Sequence, residues 1–170
     1  GAQIAIRMAH NDRCIQRLIL MAVNPKFMSS DEWSTAMSPE LLANFEQGYE
    51  TQSSKTLRRF ASLQAQGSTK SKFLTAQMIE MMPVHPAKIF GLKLLQELDE
   101  RAHLCQLSQP CFIELAQADE LVPSDWVNHL LLPNNVKIHT VAGGHGYLFE
   151  PNGINKTMAK FIDVGVGNNA

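Results

Sequence analysis

The sequence has 170 residues, of which 45% are hydrophobic and 18% charged, and a formal net charge of −1. That size and apolar content suffice for one globular unit with its own core, and a near-neutral charge gives no global pull toward nucleic acid or a membrane surface, so neither is expected as a partner. Cys14, Cys105 and Cys111 lack metal-ligand spacing and suit reduced thiols better than a disulfide frame. No apolar run reaches the about 20 residues of a membrane span and no signal-peptide pattern is visible, so a cytoplasmic chain without metal or cofactor is expected.

In chain order, Ile4, Ala5, Met8 and Ala9 give one apolar helical face, which His10-Asn11-Asp12 ends. Leu18 to Val23 is a continuous apolar run of strand length, the kind a parallel sheet covers on both faces, and Asn24-Pro25 stops it. From about Lys26 to Arg101 the pattern is helical throughout. Ser38-Pro39-Glu40 predicts a helix start, with Ser38 as N-cap and Pro39 in the first turn, continued by Leu41, Leu42, Phe45 and Tyr49. Thr56 to Gln64 forms a second helix, which Gly67 ends. Phe73, Leu74, Met78, Met81 and Met82 mark a third, closed by Pro83, and Pro86 opens a fourth that runs to Leu98. The run Met78 to Met82 is either core filler or a flexible pocket wall. Between Glu50 and Glu80 there is no acid, while Lys55, Arg58, Arg59, Lys70 and Lys72 all fall there. These bases form either a solvated surface or a docking face for an acidic protein or a phosphate.

After a linker (104–110), Cys111 to Ala118 predicts a strand that ends on Asp119. Ser124 to Leu132 has helical spacing, with Val127, Leu130 and Leu131 on one face, and Pro133-Asn134-Asn135 breaks it. Val136 to Val141 alternates like a second strand and runs into Ala142-Gly143-Gly144-His145. Asn155 to Ile162 predicts a last helix, followed by a tail. An acid thus stands at the end of one strand and a histidine just past the end of the next. In an open parallel sheet the loops at these ends hold the chemistry. Taken singly, Asp119 reads equally as a turn residue and His145 as a loop histidine. Together they match the second half of a Ser…Asp…His triad, in which the acid fixes the tautomer of a histidine that takes a proton from the nucleophile.

This order of elements resembles the C-terminal part of an α/β hydrolase. Gly1 matches the last glycine of the Gly-x-Ser-x-Gly turn, which places the serine two positions upstream of the sequence given. The resemblance narrows to the pimeloyl-[acyl-carrier protein] methyl ester esterase family of biotin synthesis. It rests on Ser30-Asp31-Glu32-Trp33, Thr56 to Gly67 with Arg59-Phe60, Gly91 to Pro110, and Asp119-x-Leu121-Val122-Pro123. It implies an α/β fold made of the C-terminal part of an α/β hydrolase with an inserted all-helical cap: core over 1–25, cap over 26–103, core over 104–162 and a flexible tail over 163–170. It also implies a serine carboxylesterase, with His145 as general base and acid and Asp119 as its orienter. The substrate would be a pimeloyl methyl ester on acyl carrier protein, met by Lys55, Arg59, Phe60, Lys70 and Lys72. Three features depart from the family. Ala76 stands where it has a cap arginine, Ala116 where its Gly-x-x-Asp has glycine, and Pro151 follows Glu150 directly, one residue early. Another capped hydrolase acting on small esters or lipids, or an inactive fragment binding through its basic face, would share many of these features. Residues 1–170 alone are expected to be inactive and poorly stable, since the nucleophile and neighbouring strands lie outside them.

Overall fold

The computed structural model describes residues 1–82, 88–150 and 156–163. Three strands, β1 (Leu18–Met21), β2 (Cys111–Ala116) and β3 (Val136–Val141), lie parallel in the order β1-β2-β3. Leu18 pairs with Cys111, and Cys111 with Val136, so the strands start level and their carboxyl ends share one edge. Cys111, Ile113 and Leu115 alternate onto one face of β2. There they join Leu18 and Leu20 of β1, Ile6 and Ala9 of helix α1 (Ala2–Asn11), and the two tryptophans Trp33 and Trp126 in one buried core. The tryptophan rings lie 6.5 Å apart.

Helix α1 forms where its periodicity places it but turns a different stripe inward. Gln3, Ile6 and Ala9 are buried, whereas Ile4 and Met8 are 46% and 54% exposed. The amide of Gln3 tolerates burial because it donates to the Pro25 carbonyl. At the far end of this face, Arg7 reaches the fully buried Glu100, which His103 of helix α5 (Arg101–Cys105) also meets at 2.6 Å. Helix α5 ends inside the stretch expected to be linker, at Leu104 and Cys105.

The segment from Lys26 to Ser38 is not helical, contrary to its expected pattern. Asn24 organises it: its side chain donates to Thr35 O at 2.7 Å and accepts from Lys26 N and from the Trp33 indole. Isolated bridges join Lys26 to Asp99, Met28 to Met37 and Ser30 to Trp33. These bonds satisfy backbone groups that a helix would otherwise pair internally.

The helical insert then begins as predicted. Ser38 accepts from Leu41 N at 3.2 Å and Pro39 opens helix α2 (Pro39–Gln64). The two helices expected here both form, as the two limbs of α2 on either side of a break at Gln52, whose φ and ψ are −144° and 55°. Thr51 donates its hydroxyl to Gln47 O at the break, a bond that bends helices. Phe45 and Phe60 meet edge to face at 5.3 Å, where a straight helix would hold them about 22 Å apart. Helix α3 (Ser71–Met81) and helix α4 (Lys88–Glu97) complete the insert. Pro83, expected to close the third helix, Pro86, expected to open the fourth, Pro151, Asn155 at the expected start of the last helix and the tail beyond Asp163 lie outside the described residues. The last helix, α6, is described over Lys156–Asp163.

Ser124–His129 is a 3₁₀ turn rather than an α-helix, with Trp126 as its buried residue, while Leu131 is 95% exposed. Of the apolar face expected at Val127, Leu130 and Leu131, the first two pack against the core and Leu131 does not, because that face assumed a period of 3.6, which a 3₁₀ turn does not have. No helix among the described residues is long and apolar enough to cross a membrane.

Burial pushes the Cys111 thiol up to about 12 from an ordinary 9.0. A raised folded-state value means the thiol's contribution is intact below pH 9 and is lost as the unfolded chain ionises above it. Stability should therefore fall between pH 9 and about 12, and Cys111→Ala should flatten that slope while lowering stability at pH 7 through the cavity it leaves. Urea unfolding at stepped pH checks this; an unchanged slope would contradict it.

Candidate active site

Asp119 follows the carboxyl end of β2 and His145 that of β3. The parallel register brings the two loops together, and His145 Nδ1 lies 2.8 Å from Asp119 Oδ2. Asp119 is buried, and its other oxygen accepts the backbone N–H groups of Leu121 at 2.9 Å and Val122 at 2.8 Å. Three donors thus hold the carboxylate in an Asx-type turn. Facing an ionised carboxylate, the imidazole carries its proton on Nδ1 and its lone pair on Nε2. Nε2 makes no hydrogen bond among the described residues.

Glycines set the distance between the loops. Gly143 has φ +106° and Gly67, just past α2, has φ +84°, the region that favours glycine. A Cβ on Gly67 would stand 3.0 Å from Ala118 O, and one on Gly144 would run into the Gln66 carbonyl. Ala118 N donates to Gly143 O at 2.9 Å. The end of α2, the Asp119 turn and the His145 loop therefore meet backbone to backbone. The Gly-Gly pair reads in sequence as a flexible approach to the histidine; Gly144 is in fact a packing requirement.

Leu121, two residues past Asp119, lines a cavity of about 400 Å³, within the range of small-molecule pockets. Phe45 and Tyr49 from the first limb of α2, Phe60 and Leu63 from the second, and Leu121 help to line it. Leu121 is the residue whose N–H holds Asp119, so the cavity wall and the acid's turn are continuous. Of the methionine run, Met78 is buried and Met82 lines the cavity, while Met81 faces solvent.

The other residues singled out in the sequence lie on the outside of the insert. Lys55 and Arg59 are exposed on the second limb of α2, Lys72 in the first turn of α3 and Lys70 just before it. Among the described residues none of them forms an ion pair within 4.0 Å. No cluster of histidine, cysteine and carboxylate side chains among the described residues could hold a metal ion. One group near the site went unremarked in the sequence: Glu114, in the middle of β2, is buried 3.0 Å from His139 of β3. Its signal was a single charge in an apolar strand.

No family model matches the chain. It is 33% identical over 140 residues to a pimeloyl-[acyl-carrier protein] methyl ester esterase of Nitrosomonas europaea, covering 77% of this chain and 56% of that protein. It is 34% identical over 147 residues to a biotin biosynthesis bifunctional protein of Cellvibrio japonicus, covering 84% of this chain and 29% of that one. The chain thus spans about half the length, or less, of these curated relatives. Among solved structures, it resembles an esterase from Exiguobacterium antarcticum with a TM-score of 0.74 at 17% identity, covering 98% of this chain and 62% of that one. A bromoperoxidase from Bacillus anthracis gives 0.78 at 15% identity, covering 94% and 63%. The parallel sheet, the helical insert between β1 and β2 and these likenesses together give the chain an α/β-hydrolase fold, and its sequence resembles the C-terminal part of the pimeloyl-[acyl-carrier protein] methyl ester esterases.

Proposed function

We propose that this chain carries the acid and the histidine of a serine carboxylesterase, with α2–α4 as its cap and its nucleophilic serine upstream of Gly1. The observation that carries this is the Asp119–His145 bond, whose acid-bearing turn shares Leu121 with the wall of an apolar cavity. His145 Nε2 takes the proton of the serine hydroxyl as its oxygen attacks the ester carbonyl. The tetrahedral intermediate collapses, and the imidazolium returns that proton to the departing methoxide, which leaves as methanol. Water, deprotonated by the same Nε2, then adds to the acyl-enzyme and releases the free acid and the serine. Asp119 keeps the lone pair at Nε2 and stabilises the imidazolium in both halves.

The names of the relatives suggest the substrate: a pimeloyl methyl ester on acyl carrier protein. The cavity suits a polymethylene chain, since an unpaired charge among Phe60, Leu63 and Leu121 would lose its hydration without compensation. Carrier proteins are acidic, and Lys55, Arg59, Lys70 and Lys72 offer bases on the outer face of the cap. The test joins this chain to its upstream segment and compares carrier-linked with free pimeloyl methyl esters. Lys55→Glu with Arg59→Glu should raise KM for the carrier-linked ester by about tenfold and leave the free ester unchanged. The difference should shrink in high salt, because exposed charges are screened beyond about 8 Å at physiological ionic strength. Equal losses on both esters would point to damaged cap folding and against docking.

A further inference from the structure

Helix α3 buries less apolar surface than its sequence carries. Leu74 and Met78 are its buried residues, while Phe73 is left 58% exposed and Ile79 36%. At about 3.6 residues per turn, the side of the helix opposite Leu74 and Met78 is centred on Ala76, which is exposed. Residues three or four apart on a helix are neighbours. Phe73, Ala76 and Ile79 therefore run along this outer side as one apolar stripe, with Lys72 one turn before Ala76 and Glu80 one turn past it. Single exposed apolar side chains are ordinary, but a contiguous apolar strip inside a polar rim marks a surface that meets something.

The charges around the stripe select what that is. Lys72 adjoins Phe73, Lys70 stands just before the helix, and no acid lies in its first turn. Neither lysine forms an ion pair within 4.0 Å among the described residues. A second copy of the chain would set these lysines against their own kind, whereas an acidic protein would neutralise them. Protein interfaces place aromatic residues at the centre and charges at the rim, which is the arrangement of Phe73 between Ala76 and the lysines. We propose that this stripe is the apolar centre of the surface that docks an acidic carrier protein, with Phe73 as its anchor and Lys70 and Lys72 on its rim. This deepens, and rests on, the reading of the substrate as carrier-linked, and it adds a contact that salt does not screen.

The test uses the enzyme joined to its upstream segment and measures its binding of fluorescently labelled acyl carrier protein by anisotropy, independently of turnover. Phe73→Ser should weaken binding at least tenfold, as loss of an interface anchor does, and Phe73→Leu, which keeps apolar bulk, should retain most of it. Raising the salt should leave the ratio between wild type and Phe73→Ser unchanged, whereas the effect of reversing Lys72 should shrink. Turnover of free pimeloyl methyl ester should be the same in wild type and Phe73→Ser. Should Phe73→Ser not fold, Ala76→Glu decides: it puts a carboxylate at an exposed position in the middle of the stripe and should weaken binding as much. Unchanged carrier binding in the variant that folds would overturn the proposal. So would an equal loss of free-ester turnover, which would make the stripe an internal packing surface. A wild-type enzyme that hydrolyses free esters but binds no carrier would also overturn it and leave the esterase reading standing. Phe73-dependent carrier binding without hydrolysis of any ester would defeat the esterase reading and uphold the docking surface.

Discussion

In the enzyme joined to its upstream segment, His145→Ala should lower kcat for methyl ester hydrolysis by about 10⁶-fold while KM changes little, since removal of a triad histidine leaves only binding and oxyanion stabilisation. Asp119→Asn should cost about 10⁴-fold, and the geometry says why. Asp119 Oδ1 accepts two backbone N–H groups, from Leu121 and Val122. An asparagine keeps those bonds by turning its carbonyl oxygen to them, which points its NH₂ at His145. The imidazole must then accept at Nδ1 and carry its proton on Nε2, where it can no longer take one from a serine. The loop survives and the tautomer is wrong. Single-turnover kinetics with a chromogenic ester measure both variants, and circular dichroism verifies the fold. Near-normal turnover in His145→Ala would remove the histidine from the mechanism. An Asp119→Asn variant as active as wild type would reduce the acid to a turn residue.

Much of this was legible because it depends on local pattern. The apolar run of β2 and the Pro-Asn-Asn break before β3 mark strands whose observed limits, Cys111–Ala116 and Val136–Val141, lie close to those expected. Once two successive strands run parallel, their carboxyl ends must be neighbours, so the meeting of Asp119 and His145 follows from order alone. What was not legible depends on partners distant in sequence. Gln3 replaces an apolar residue on the inner stripe of α1 because the Pro25 carbonyl happens to receive its amide. The segment after Lys26 is not helical because one asparagine collects its backbone groups. In β3, His139 is half-buried because its register partner Glu114 meets it, while the apolar Ile138 beside it is left 38% exposed. In each case a polar side chain finds a buried partner that hydrophobic periodicity does not register.

A single methyl group at Gly144 should disable the site. The Cβ it adds would overlap the Gln66 carbonyl and stand 3.4 Å from Ala118 O. Both neighbours are backbone, one ending α2 and the other leading into the Asp119 turn, so no side chain can swing aside. Either the end of α2 lifts or the loop bearing His145 retreats from Asp119. A displacement of about 1 Å at reacting groups costs on the order of 10²-fold in rate, and Gly144→Ala should lose at least that in kcat. Two further variants separate this clash from general effects of glycine replacement. A methyl group added at Gly91, in α4, would meet nothing within 4 Å, and Gly91→Ala should be neutral in rate and gain about 0.5–1 kcal/mol of stability. Gly143→Ala meets only ordinary contacts, at 3.5 Å to Tyr147, but must hold φ near +106°. It should lose about 1–2 kcal/mol of stability with a smaller loss of rate than Gly144→Ala. Thermal unfolding and ester turnover, measured together on all three, place each variant on both axes. If Gly144→Ala turned over like wild type, the backbone contact between α2 and the histidine loop would not be what sets the Asp119–His145 distance, because no rotamer change can absorb a Cβ wedged between two carbonyl groups.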